Sequence, residues 1–145
     1  MTPALAARAH FGSLLARLTL GSVFILAGAL KLGHSADLAA TISAFRLHLA
    51  PQLIALIAGA LPPFEILLGV YLLGGWLLEF TAWFSCALLC AFIVALASVA
   101  ARGLSAPCGC FGAGDTAPVS WWTVARDALL LVPATYLLWW ERRRD

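Results

Sequence analysis

Four apolar stretches, about Leu14 to Leu32, Gln52 to Leu73, Trp76 to Ala100 and Trp121 to Trp140, limit what this chain can become. A helix needs about twenty mostly apolar residues to cross about 30 Å of hydrocarbon, because in lipid every backbone N–H and C=O must be satisfied within its own segment. The pattern predicts an all-α polytopic membrane protein, a four-helix bundle forming one domain over residues 1–145. Composition agrees, with 63% of residues hydrophobic and 11% charged, where soluble domains have roughly half and a quarter. That excess needs lipid as its solvent. A net charge of +2 and dispersed arginines exclude a nucleic-acid footprint, so the bilayer, other proteins and membrane-soluble molecules are the expected partners.

The first run, "LLARLTLGSVFILAGALKL", has features of a secretory signal, with Arg8 and Arg17 as the basic region and Ala27-Gly28-Ala29 as a cleavage site. The chain begins at Met1 with this run intact, and a retained helix is the expectation. Arg8 and Arg17 lie toward the amino side of the first span and Arg142, Arg143 and Arg144 follow the last, whereas the first and third connections offer Lys31, Arg46 and Arg102. The positive-inside bias then puts both termini in the cytoplasm, as an even number of spans requires. Trp121-Trp122 and Trp139-Trp140, about 27 Å apart along a helix, suit the two aromatic belts of a bilayer.

The first connection, "HSADLAATISAFRLHLAP", repeats Leu38, Ile42, Phe45 and Leu49 at helical spacing, with Ser35 able to cap. It predicts a short amphipathic helix on the outer leaflet. The second span is expected to be interrupted at Pro62-Pro63, and "GGW" makes a tight cytoplasmic turn before the third. The third connection, about Ala101 to Ser120, is long, Gly/Pro-rich and extracytoplasmic, and it contains "APCGCFGAG".

Outside the cytoplasm disulfides form and persist. A Cys108–Cys110 bridge would close almost no loop, so stability is a poor reason for the pair. Closing a ring over one residue strains the geometry, and strained, exposed disulfides exchange readily. Gly109 supplies the backbone freedom to close at all. Thiol–disulfide exchange is the favoured reading, beside two unpaired loop thiols or a Cu(I) clamp of two thiolates. No histidine or methionine lies near the motif in sequence, though His34 and His48 fall on the same predicted side; no metal ligand is assigned. Phe111 and Gly112 are expected to shape the docking surface of a partner. Trp121, Trp122 and Phe111 read as anchors or as the walls of an aromatic slot.

Cys86 and Cys90 stand at i and i+4 on one face of the third span. They are either a second thiol pair or small packing residues beside Ala82, Ala87 and Ala91, as membrane helix interfaces favour. Charges in lipid are costly and face a bundle interior with a partner. Lys31, Glu65, Arg126 and Asp127 are the candidates for a polar interior beneath the loop. Arg126 is expected to pair with Asp127 or Glu65, with Arg17 competing for Glu65. Lys31 or Arg126 is placed to favour a cysteine thiolate.

The pattern "ARLTLGSVFILAGALKL", "LPPFEILLGVYLLGG", a span ending in "ARG" followed by "CGCFG", and then "ARDALLL" resembles the MauE family of methylamine-utilisation membrane proteins, within the broader DoxX-like group. The resemblance runs from about Arg17 to Leu138, and "CGCFG" is its most specific element. It implies a four-helix protein of the bacterial inner membrane serving maturation of methylamine dehydrogenase, a disulfide-rich enzyme, beside a thioredoxin-like partner, MauD. Carried over by position are Arg17, Gly28, Lys31, Pro62, Glu65, Gly69, Cys108, Gly109, Cys110, Phe111, Gly112 and Arg126. The plan is also similar to DsbB and vitamin K epoxide reductase, which pass electrons between thiols and quinones. That analogy makes a quinone the candidate cofactor, though this chain has CxC where those proteins have CxxC. The expected function is membrane thiol–disulfide oxidoreduction through Cys108 and Cys110. A non-enzymatic scaffold or chaperone, or a carrier of a small molecule or Cu(I), is the alternative.

Overall fold

A computed structural model describes residues 3–112 and 114–144, with side chains of residues 10–112 and 114–144. Arg8, used in the orientation argument, lies outside the described side chains. Five helices occur among the described residues: α1 (Pro3–Lys31), α2 (Ser35–Ala44), α3 (Pro51–Gly74), α4 (Leu78–Ala101) and α5 (Trp121–Arg142). No strand occurs among them; the only β-type pairing there is an isolated bridge between Pro107 and Pro118.

Three stretches, His10–Lys31, Pro51–Gly74 and Leu78–Ala101, are long and apolar enough to cross a membrane. They point to a membrane protein. The fourth expected span is helical as α5, but the charges of Arg126 and Asp127 keep it below the apolarity of the other three. The expected interruption of the second span is corrected: α3 continues through Pro62 and Pro63. Each proline removes one N–H, a loss that helices in lipid tolerate where neighbouring groups compensate.

α1 lies along α3 and also touches α5, while α4 lies along α5; α3 and α4 meet more sparsely. Leu20, Phe24, Leu68, Leu72, Leu89 and Leu137 form the shared core. Outward-facing Leu56, Phe80, Val94 and Leu129 are more than half exposed, the pattern of a bundle whose outer surface is solvated by hydrocarbon rather than water. A Cβ on Gly69 would stand 2.7 Å from the Gly21 carbonyl oxygen, and one on Gly28 would stand 2.6 Å from that of Pro62. The missing side chains let the α1 and α3 backbones approach closely, as small residues do in membrane interfaces.

The far end of α3 is finished by Arg17. Its Nε donates to the Leu72 carbonyl at 2.9 Å and its Nη2 to Leu73 at 3.0 Å. These carbonyls have no partner within the helix, so the guanidinium caps α3 instead of pairing with Glu65.

The Gly69 contact yields a direct test. Gly69→Ala should lower the apparent Tm in detergent, with a loss of about 1–3 kcal/mol from overpacking against backbone. Gly59→Ala, where the added Cβ meets nothing within 4 Å, should leave it unchanged or raise it. Equal melting of the two variants would rule out the close α1–α3 approach.

Candidate functional site

The end of α1, helix α2, the start of α3, the end of α4 and the start of α5 gather at one end of the bundle, where the loop after α4 folds down among them. That loop is tied to itself by Cys108 N–H donating to the Ala117 carbonyl at 3.0 Å and Val119 N–H donating to Ala106 at 2.9 Å. Ala106, Cys108 and Val119 pack with Phe45, Leu96 and Val99 in a second apolar cluster. Arg102 holds the neighbouring junction: its guanidinium donates to the carbonyls of Phe45 and Arg46 as well as to Ser98 in its own helix. The end of α4 is thereby fastened to the end of α2. Arg102 figured in the sequence only as a loop charge, because nothing local announces carbonyls more than fifty residues away.

Cys108 and Cys110 are joined by a disulfide with their Cα atoms 5.3 Å apart. Gly109 between them has φ +62°, and a Cβ there would meet Thr41 Cγ2 at 2.8 Å. Gly112 has φ +90°, and a Cβ would stand 2.6 Å from the Leu30 carbonyl oxygen. Both glycines are required twice over, by left-handed backbone and by lack of room. Gly112 presses the loop onto α1, and Gly109 presses it onto α2. Cys108 is buried at 5% exposure and Cys110 is half-buried.

The two sulfurs have different neighbours. Arg126 Nη2 lies 3.9 Å from Cys108 Sγ, and Asp127 Oδ2 lies 3.9 Å from Cys110 Sγ. Arg126 Nε donates to Asp127 Oδ1 at 3.2 Å, and its guanidinium sits over the Phe111 ring with 4.8 Å to the centroid. α5 thus presents a cation to one sulfur and a carboxylate to the other from consecutive residues. Ser120 and Thr123 form a capping box at its start, which secures the turn that carries both charges.

Beneath them Lys31 Nζ donates to both carboxylate oxygens of Glu65, at 2.8 and 3.0 Å. Lys31 is 3% exposed and Glu65 1%. The expected partners of Glu65, Arg126 and Arg17, are therefore replaced by Lys31: Arg126 is occupied by Asp127, and Arg17 sits at the other end of α3. Lys31, Glu65, Cys110 and Asp127 all border a small cavity of about 30 Å³, enough for a water molecule. A larger, mostly apolar cavity of about 220 Å³ opens beside the disulfide between α2, α3 and α4.

Cys86 is half-buried beside the shared core and Cys90 is exposed; they remain unbridged thiols. Cys90 precedes the end of α4 by eleven residues, about 16 Å along the helix axis at 1.5 Å per residue, and neither thiol is among the residues lining the two cavities beside the loop. His34 borders a small pocket with Gly109 and Gly112, whereas His48 does not. Among the described residues no group of three or more His, Cys, Asp or Glu is arranged to hold a metal ion. Trp121 and Trp122 are exposed on α5 and line none of these cavities.

The buried pair carries a stability prediction. Lys31→Met or Glu65→Leu alone should each lower stability by about 3–5 kcal/mol, because the remaining charge is left buried and unpaired, while the double variant should recover most of that loss. Thermal melts of the three variants in one detergent check this; additive losses would mean that the two charges do not depend on each other.

The family model described as methylamine utilisation protein MauE matches residues 9–140. No curated protein and no solved structure matches the chain.

Proposed function

The chain belongs to the MauE family of methylamine utilisation proteins, and from that premise we propose that it is a membrane thiol–disulfide exchange protein. In this reading α5 is a fourth membrane-crossing helix, its Arg126 and Asp127 tolerated because they face the loop site. Both termini lie in the cytoplasm, α2 rests at the outer interface, and the disulfide loop faces the extracytoplasmic side of a bacterial inner membrane. The whole chain acts as one domain. Its partner is a thioredoxin-like protein that exchanges electrons with the pair during maturation of a disulfide-rich protein of methylamine oxidation.

The observation that carries this reading is the unequal setting of the two sulfurs, with Arg126 at Cys108 and Asp127 at Cys110. A structural bridge closing a single residue contributes little by constraining the unfolded chain, and it has no use for a cation on one sulfur and an acid on the other. Exchange has a use for both. A partner thiolate attacks Cys110 Sγ, the more accessible sulfur. The Cys108–Cys110 bond breaks, its electron pair goes to Cys108, and a new disulfide joins Cys110 to the partner. Cys108 leaves as a thiolate facing the Arg126 guanidinium, and a better-stabilised leaving thiolate departs faster.

A second thiolate of the partner then attacks the partner's own sulfur in the mixed disulfide and displaces Cys110, whose sulfur takes a proton beside Asp127. The partner has lost two electrons and two protons, and the pair has become a dithiol. Run backwards, the same steps reduce a partner disulfide. Phe111, stacked beneath Arg126, holds the guanidinium in place; Gly109 and Gly112 keep the loop low enough for the charges to reach it.

Cysteine replacement tests the reading. Cys108→Ser should accumulate a reducible mixed disulfide through Cys110 on non-reducing gels of membranes, and Cys110→Ser should accumulate much less. Arg126→Ala should slow reduction of the oxidised protein by a small dithiol about tenfold, with Arg126→Lys retaining most of the rate. A double serine variant that still supports maturation of the disulfide-rich substrate would sink the proposal.

A further inference from the structure

The exchange reading leaves the dithiol in need of a second partner to take its electrons away, and the larger cavity has the chemistry to provide one. Its walls include Ile57 and Leu61 of α3, Ala91 and Phe92 of α4, and Phe45 just after α2. Cys108, Cys110 and Lys31 line the same cavity. The cavity lies where α3 and α4 meet sparsely, and of its lining residues Ala91 is exposed and Ile57 half-buried. A ligand therefore enters from the bilayer and is apolar over most of its surface.

Its polar end has narrower requirements. Glu65 engages two of the three N–H groups of Lys31, which leaves one donor for an acceptor oxygen in the cavity. Phe92, whose ring lies under the Lys31 ammonium with 5.3 Å from Nζ to its centroid, gives the same cavity an aromatic wall. About 220 Å³ is less than the roughly 300–1,000 Å³ of drug-sized sites, so the space suits a single substituted ring whose tail continues past Ala91 into lipid. The bordering pair can give up two electrons and two protons together.

We propose that this cavity binds a lipid-soluble quinone, its ring between Phe92 and the disulfide, one carbonyl oxygen at Lys31 and its isoprenoid tail in the bilayer. The proposal rests on the exchange reading for its electron source, though not for binding. The step balances as dithiol plus quinone to disulfide plus hydroquinone: the Cys108–Cys110 bond forms, two electrons pass to the ring, and the two thiol protons end on its oxygens. The partner meets Cys110 from the loop side, while the ring meets the pair from the membrane side. The two reactions use opposite faces of one disulfide.

Photolabelling separates the possibilities. Protein in lipid nanodiscs is exposed to a short-tailed azidoquinone, and the adducts are mapped by mass spectrometry with and without excess unlabelled quinone. Labelling should fall on α2, α3 and α4 around the cavity and be competed away. Ala91→Trp and Ile57→Trp, which fill the mouth, should weaken it about tenfold or more, and Leu129→Trp on the exposed side of α5 should not. Reduced wild-type protein should yield one hydroquinone per chain, and the Cys108→Ser/Cys110→Ser variant none.

Labelling spread evenly over lipid-facing positions, or competed equally well by a hydrocarbon with the same tail and no ring, would overturn the quinone site. Mixed-disulfide trapping without competed labelling would leave exchange standing and remove the quinone. Competed labelling without hydroquinone would overturn the electron-transfer step.

Discussion

The Lys31–Glu65 pair is the constraint around which the loop end of the bundle is arranged. Two charges almost wholly removed from solvent are tolerable only together, and they come from the last residue of α1 and the middle of α3. The requirement that they meet sets the register between these helices, already close because Gly21, Gly28 and Gly69 carry no side chains. With α1 held at that height, the Leu30 carbonyl becomes the floor on which Gly112 rests, and α2 leaves α1 at the level where Thr41 meets Gly109. The loop is low because the pair beneath it is fixed.

The charges of α5 answer a different need. Arg126 and Asp127 make this helix less suited to lipid than its neighbours, and that cost is offset where they satisfy each other and face the disulfide. Placing opposite charges on adjacent residues is an economical way to distinguish two sulfurs that are themselves two residues apart. It also brings charge to the two sulfurs that their immediate loop neighbours, Pro107, Gly109, Phe111 and Gly112, do not supply.

The molecule therefore has two unlike halves. Away from the loop, leucines and alanines close a conventional helical core, and Arg17 finishes α3 by capping carbonyls. At the loop end, packing is less complete: a water-sized cavity joins the buried charges to Cys110, and a larger apolar one separates α3 from α4. Dense packing is the norm in protein interiors, and both of these cavities lie at the end that carries the loop cysteines.

The apolar runs alone determined that this chain is helical and suited to a membrane, because a continuous apolar segment of about twenty residues satisfies its backbone hydrogen bonds within itself only as a helix. The cysteine motif and the four charged residues were equally legible, since each is conspicuous in oily surroundings. Their partnerships were not. The sequence offered Glu65 two cations, Arg126 and Arg17, and only the packing of α1 on α3 brings Lys31 to it while Arg17 is drawn to the opposite end. The unequal settings of Cys108 and Cys110, the role of Arg102 and the cavity beside the disulfide arise from residues far apart in the chain. One-dimensional spacing carries periodicity and local chemistry, whereas the choice among charged partners depends on distances that exist only after the helices have packed.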